Sequence, residues 1–290
     1  MLNTPKTGVF LAILALATAL PCHPAPPTPE GWQQSLEAAR ETARQDGKLI
    51  VVDLWADWCT WCKKLDEEVF TSDVFREWAA DYVLLRVNTE DGAEGTRLQE
   101  DFGVSGLPTT LIITPDMVRV GQLQGFSPAP TYIQNLDLER AMFAMLVRAH
   151  ADVDEATGSE TLRTLANDFH ERRDGARAAS MFERLRHRGE ETVDEVAWNR
   201  YYHADALRLQ GDFEAASSAL ADARTSAIET GNEDVRELVD LLPYHIARDR
   251  EACADAESAL DAYLHEHPDG VYIDIAQEAL VEIRETRQCA

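Results

Sequence analysis

Apolar residues follow two different patterns in the two halves of the chain. In the first half, short continuous apolar runs predict strands covered on both faces, and segments of helical spacing separate them. We predict strands at 49–55, 82–88, 110–114 and 118–123, the last two forming a hairpin. We predict helices at 32–45, from the cysteine pair to 70, and at 72–80, 93–102 and 128–149. This order predicts a mixed α/β domain over residues 31–150.

The second half, residues 151–290, has helical spacing throughout and no convincing strand pattern. Apolar and small residues repeat in three units that lie about 38–40 residues apart, followed by a closing helix at about 272–287. The first unit contains Leu162, Ala166, Phe169, Ala178 and Phe182. The pattern resembles degenerate tetratricopeptide repeats, which implies an all-α domain with a concave face that binds a peptide or protein. An irregular helical bundle is the alternative.

Composition limits the classes of function. The chain has 290 residues, a length typical of about two domains at roughly 100–200 residues each. With 52 acidic and 27 basic side chains its net charge is -25, which disfavours a nucleic-acid partner because such a surface repels phosphate. Its 45% apolar content is that of a globular protein.

The amino terminus has the pattern of an export signal. Lys6 precedes an apolar stretch from Val9 to Ala17, and small residues at Ala17 and Ala19 fit a cleavage site. We predict a signal peptide at 1–19 and a proline-rich spacer at 20–30, with an uncleaved membrane anchor or a lipid on Cys22 as alternatives. Export predicts a periplasmic or other exterior location, where disulfides persist.

A Cys-x-x-Cys motif, Cys59 and Cys62, follows the first predicted strand. Such a pair is either redox-active or half of a zinc site. No second cysteine pair completes a zinc site in the first half, where the only histidine before His150 is His23 in the spacer. The sequence therefore favours redox chemistry and predicts no metal and no cofactor.

Two segments resemble thioredoxin-fold oxidoreductases. Residues 53–63, Asp-Leu-Trp-Ala-Asp-Trp-Cys-Thr-Trp-Cys-Lys, are similar to the active-site segment of that family, and residues 106–109, Gly-Leu-Pro-Thr, are similar to its cis-proline turn. The resemblance covers about residues 32–148 and includes exported reductase domains such as the C-terminal domain of the membrane-embedded thiol:disulfide interchange protein. It implies a thioredoxin fold followed by the all-α region.

The roles of the two cysteines follow from their place on a helix. If a helix begins at the motif, Cys59 lies at its N-terminal end, where free N–H groups stabilise a thiolate. Cys59 is then the attacking sulfur, and Cys62, one turn later and expected to be more buried, resolves the mixed disulfide. The resemblance implies that Asp53 is the buried proton acceptor for Cys62, and places Arg86 where the family often has a lysine.

Four further residues are expected to contact the substrate. The resemblance implies a cis peptide at Pro108, which exposes the backbone of Leu107 for strand-like pairing with a substrate. Trp58 is expected to pack beneath the site, as in the family. Trp61 replaces a proline of the thioredoxin motif, and this departure leaves the direction of electron flow open.

Two classes of function therefore compete. The leading hypothesis is an exported thiol-disulfide oxidoreductase, most simply a reductase, that acts on protein thiols and disulfides and needs an upstream electron donor. Its helical half would bind a partner peptide or protein. The alternatives are a non-catalytic binding scaffold and a copper-handling module that uses the two thiolates.

The remaining cysteines of the second half predict a structural disulfide. Cys253 lies near the start of a predicted helix, and Cys289 lies at the end of the next one. Their midpoint, position 271, nearly coincides with the turn at Pro268 to Gly270, and residues equally far from such a turn lie side by side in an antiparallel helix pair. Two unrelated thiols are the alternative.

Overall fold

The computed structural model describes residues 31–92 and 94–289. The predicted signal peptide, the spacer and Cys22 lie outside these residues. The elements are β1 (Trp32–Gln33), α1 (Leu36–Asp46), β2 (Leu49–Trp55), α2 (Thr60–Leu65), α3 (Asp73–Ala79), β3 (Tyr82–Asn88), α4 (Glu94–Asp101), β4 (Thr109–Ile113), β5 (Arg119–Gln124), α5 (Ala129–Ala151), α6 (Ser159–Glu171), α7 (Gly175–Arg188), α8 (Val193–Leu209), α9 (Phe213–Thr230), α10 (Glu233–Asp249), α11 (Cys253–Glu266) and α12 (Ile273–Thr286). Among the described helices, none combines the length and the apolar content needed to cross a bilayer.

One mixed sheet organises the first half. Its strand order is β1-β3-β2-β4-β5, with β1, β3 and β2 parallel and with β4 and β5 antiparallel to their neighbours. Val51 faces a core shared with α2, α3 and α5, whereas Ile50 and Val52 face a second core shared with α1 and α4. Both faces of β2 are buried, which explains its continuous apolar run. The predicted mixed α/β class is confirmed.

Local signals fix the helix ends. Ser35 caps α1 by accepting a hydrogen bond from the Ala38 amide, and Gly47 ends α1 in the left-handed region at φ 65°. Ser72 caps α3 in the same way as Ser35 caps α1. The loop between β2 and α2 brings Cys59 to the cap position of α2.

Two details differ from the sequence-based expectation. The helix predicted from residue 32 begins at Leu36, because Trp32 and Gln33 instead form an edge strand that pairs with β3. The Trp32 ring packs on Phe70, with centroids 4.9 Å apart, so its apolar side chain serves the sheet core and not a helix face. In addition, the helix after Cys62 widens into a π-helical turn at Asp66–Phe70.

Helices α6 to α12 pack in sequence, each against the next, and bury three successive apolar clusters. Three helix pairs followed by a closing helix occupy the positions of the predicted units. Gly175 starts α7 against the backbone of α8, where an added Cβ would collide with the Ala206 carbonyl oxygen and the Gln210 nitrogen. The relationship to tetratricopeptide repeats stays a prediction.

Ionic contacts join the two halves around Asp101, at the end of α4. Its carboxylate lies 2.9 Å from Arg248 Nη2, 3.5 Å from Arg173 Nη1 and 3.7 Å from Arg97 Nε. Arg173 and Arg248 belong to the helical half. Burial alone would raise the pKa of Asp101, but the three guanidinium groups outweigh it and lower this pKa. Nearby, the Arg119 amide of β5 donates to the Arg172 carbonyl at 2.7 Å.

We predict that Asp101→Asn destabilises the full chain by about 3–5 kcal/mol at pH 7, because it removes the carboxylate that pairs with the buried Arg173 and one of the two that pair with Arg248. The pKa of Asp101 is lower in the folded protein than its unfolded value of 3.8. Its ionised form therefore adds to the free energy of unfolding above pH 3.8, and this stabilisation is lost as the pH falls through the folded pKa. Urea unfolding at pH 7 measures the change. The control is Asp116→Asn, whose carboxylate is exposed and 3.6 Å from Arg44; equal losses for both variants would contradict the prediction.

The structure joins Cys253, at the start of α11, to Cys289, beyond the end of α12, with their Cα atoms 5.2 Å apart. The pair closes a loop with a sequence separation of 36 residues. We predict that Cys289→Ser lowers the free energy of unfolding by about 3–4 kcal/mol, in line with the chain entropy released. Peptide mapping of the protein, isolated without reductant, should recover the two cysteines as one cross-linked peptide. Recovery of both as free thiols would refute the pairing.

Candidate active site

The cysteine pair lies where β2 meets α2. Cys59 occupies the cap position of α2, and its sulfur accepts a hydrogen bond from the Cys62 amide at 3.1 Å. A disulfide links the two residues, whose Cα atoms are 5.3 Å apart. After reduction, the Cys62 amide and the positive end of the α2 dipole favour a thiolate on Cys59.

The exposure of the two cysteines does not distinguish them. Cys59 is 3% exposed and Cys62 2% exposed, packed against Trp55, Ala56 and Leu107. The expectation that Cys62 is the more buried cysteine therefore finds no support in the disulfide form, because the two exposed fractions are nearly equal. The difference between the two sulfurs lies in the helix-cap position of Cys59.

Asp53 lies in the middle of β2, opposite Arg86 of β3 and Thr110 of β4. The alternation of β2 places Asp53 on the same face as Val51, the face covered by α2 and α5. The carboxyl group is 1% exposed, and neither of its oxygens accepts a hydrogen bond from another described residue. Burial raises the pKa of Asp53 to about 7, with Arg86 lowering this pKa and Asp66 raising it.

Arg86 contacts two carboxylates. Its Nε lies 3.5 Å from Asp53 Oδ2, and its two terminal nitrogens donate to both carboxylate oxygens of Asp66, Nη2 at 2.7 Å. Its guanidinium also lies over the Trp55 ring, 4.7 Å from the centroid. The pairing of Asp66 with Arg86 was not predicted. The available signal was an acid four residues after Cys62, about one helical turn further along the same face.

The Leu107–Pro108 peptide bond is cis, and Pro108 is buried. Two hydrogen bonds hold this turn: the Thr109 hydroxyl donates to the Gly106 carbonyl at 2.7 Å, and the Gly125 amide donates to the Pro108 carbonyl at 2.8 Å. Leu107 packs against the cysteine cluster and is partly exposed. The two segments of the chain predicted to build the site are thus brought together.

Both tryptophans of the motif lie at the surface. Trp58 is 65% exposed, so the expectation that it packs beneath the site is wrong; its indole N–H donates to Glu90 Oε1 at 2.6 Å and holds the ring at the surface. Trp61 is 56% exposed and its ring lies 5.8 Å from that of Phe126, centroid to centroid. Neither Glu90 nor Phe126 was predicted, because strand pairing, not sequence proximity, brings them here.

The described residues contain no group of three or more histidine, cysteine or acidic side chains placed to hold a metal ion.

A family model described as thioredoxin-like matches residues 31–115. This part of the chain is a thioredoxin-like domain. The thioredoxin-like match and the cysteine pair together support thiol-disulfide oxidoreductase chemistry.

Curated relatives match the same region. The thiol:disulfide interchange protein DsbD of Yersinia pestis is 33% identical over 97 residues, which are 32% of this chain and 16% of that protein. DsbD of Actinobacillus pleuropneumoniae is 41% identical over 83 residues, 28% of this chain and 14% of that protein. The chain thus spans less than a fifth of the length of these relatives. Among solved structures, the oxidised C-terminal domain of Neisseria meningitidis DsbD covers 38% of this chain and 99% of its own, with 23% identity and a TM-score of 0.34.

We predict that Asp53→Asn stabilises the disulfide form of the chain at neutral and alkaline pH. The pKa of Asp53 is 3.8 when unfolded and about 7 when folded, so the folded wild type loses stability as pH rises between these values and changes little above them. The variant lacks this loss and should gain up to about 4 kcal/mol above pH 7 and almost nothing near pH 4. Urea unfolding from pH 4 to 9 measures the difference, and Asp57→Asn, at an exposed position, is the control. A gain independent of pH would contradict the assignment.

Proposed function

We propose that the chain is an exported thiol-disulfide oxidoreductase that reduces protein disulfides through Cys59 and Cys62. The observation that supports this most directly is the position of Cys59 as the cap of α2, with the Cys62 amide donating to its sulfur. This arrangement favours a thiolate on one cysteine and holds the second within bonding distance. Relatives named as thiol:disulfide interchange proteins add weight to the chemistry.

The reaction would proceed in two exchanges. The Cys59 thiolate attacks one sulfur of the substrate disulfide; a mixed disulfide forms, and the other substrate sulfur leaves as a thiolate that takes up a proton. Cys62 then loses its proton and attacks the Cys59 sulfur, which releases the second substrate thiol. The substrate gains two electrons and two protons, and the chain becomes the Cys59–Cys62 disulfide. A dithiol donor would restore the reduced form.

Asp53 would accept the proton that Cys62 must lose. A carboxyl group with a pKa of about 7 is partly ionised at neutral pH and can therefore both accept and return a proton. Its position on the face of the sheet that packs against α2 agrees with this role. Asp53→Asn should thus slow the second exchange at neutral pH.

The substrate would lie across the exposed surface of Trp58, Trp61 and Leu107, with Pro108 shaping the turn. The helical half would bind a partner peptide or protein in the manner of tetratricopeptide repeats and keep it near the cysteines. Export of the chain to the periplasm, whether free or anchored by its amino terminus, would place the reaction where protein disulfides form.

We predict that the reduced chain reduces insulin disulfides and that Cys59→Ser abolishes this activity, because the attacking sulfur is lost. Cys62→Ser keeps the attack but cannot resolve it, so it should accumulate a mixed disulfide with the substrate, visible as a mass increase that dithiothreitol reverses.

Brief alkylation of the reduced protein at neutral pH should label Cys59 before Cys62. Preferential labelling of Cys62, or a trapped substrate on Cys62 in the Cys59→Ser variant, would reverse the assignment of the two cysteines. Insulin reduction that survives both substitutions would overturn the proposed function. A measured reduction potential of the Cys59–Cys62 couple near about -270 mV would favour a reductase and one near about -120 mV an oxidant.

A further inference from the structure

One lysine beside the cysteine pair lies against two aromatic rings. The Lys64 ammonium is 4.7 Å from the centroid of the Phe126 ring and 5.3 Å from that of the Trp61 ring. The two rings are 5.8 Å apart and tilted by 30°. We call Trp61, Lys64 and Phe126 the aromatic–lysine cluster. Because ring faces attract a cation, they hold this ammonium in a defined place.

The aromatic–lysine cluster lies on the two elements that carry the cysteine pair and support the cis-proline turn. Trp61 stands between the two cysteines in the motif, and Phe126 directly follows Gly125, whose amide donates to the Pro108 carbonyl at 2.8 Å. The cluster therefore bridges α2 and the loop that supports the cis-proline turn. A peptide lying beside Leu107 with its sulfur at Cys59 would have a neighbouring residue within reach of this cluster.

The Lys64 ammonium keeps its hydrogen-bonding capacity available. Lys64 forms an ion pair with Glu68 at 3.7 Å, beyond hydrogen-bond distance, and donates no hydrogen bond within the described part of the chain; its side chain is 42% exposed. A lysine carries three N–H donors. The rings hold the ammonium without using these donors, so an incoming carboxylate can accept them.

The charge at the other tryptophan has the opposite sign. Trp58 is held by Glu90, an exposed acid, whereas the cluster presents an ammonium beside Trp61. The chain as a whole has 52 acidic and 27 basic side chains, so a positive group at this position stands out against the general surface charge. The two sides of the site therefore discriminate between charges on a bound peptide.

We propose that the aromatic–lysine cluster binds an acidic side chain next to the reacting cysteine of the substrate, so that the chain prefers disulfides flanked by Asp or Glu. This inference rests on the proposed function and names the substrate class of the same site. The contact would be an ion pair between the substrate carboxylate and Lys64, with Trp61 and Phe126 excluding water on one side.

The test uses the reduced full chain and three peptide disulfides that differ only in the residue beside each cysteine, which is Glu, Gln or Lys. Second-order rate constants should rank Glu above Gln above Lys, with about 3–5-fold between the first and the last, the scale of a partly exposed ion pair. Lys64→Gln should remove the preference and Lys64→Glu should reverse it. High salt should weaken it in the wild type.

Lys63→Gln is the matched control, because it removes the same charge from an exposed neighbour that lies outside the cluster; it should keep the preference. Equal rates for the three peptides, or an equal loss in the Lys63 and Lys64 variants, would overturn this inference and leave the proposed function intact. Failure to reduce any of the peptides would overturn the proposed function and the inference with it.

Discussion

Arg86 contacts a buried carboxyl group, that of Asp53, and a half-buried one, that of Asp66, and the proposed chemistry of the cysteine pair depends on how these contacts are divided. Asp66 receives both terminal nitrogens, whereas Asp53 receives only an approach of 3.5 Å without a hydrogen bond. Burial raises the pKa of Asp53 and the nearby Arg86 charge lowers it, and the result is a pKa of about 7. Asp66 takes up the hydrogen bonds of Arg86 that Asp53 would otherwise receive, and its own charge helps to raise the pKa of Asp53.

The interface between the two halves also consists of charged side chains. Asp101 binds arginines of both halves, and Arg97 of α4 lies 3.8 Å from the carboxylate of Asp249 in α10. Such contacts depend strongly on geometry, since a buried ion that loses its partner is costly. An apolar interface of equal area would let the two halves slide against each other more easily. The ionic interface thus favours one orientation of the helical half on the sheet.

The sequence predicted the elements with strong local patterns and missed those that depend on tertiary contacts. Strands β2 and β3 were predicted with their observed bounds, because burial on both faces gives an uninterrupted apolar run. The strand at Trp32 has two residues and is too short to show a periodic pattern in the sequence. The roles of Glu90 and Phe126 become visible only once strand pairing has brought them to the tryptophans. Two ionic partners of Asp101, Arg173 and Arg248, lie in the other half of the chain, and no spacing rule connects them to it.

The end of the helical half meets the start of α4 in a cleft. Gly92 and Thr96, at the start of α4, line the same cleft as Gln288 and Cys289 at the end of α12. Gly92 is two residues beyond Glu90, the acceptor for the Trp58 indole. Neither Trp61 nor Phe126 is among the described residues that line this cleft. The cleft therefore joins the start of α4, which follows the Trp58–Glu90 contact along the chain, to the end of α12, which the bond between Cys253 and Cys289 ties to α11.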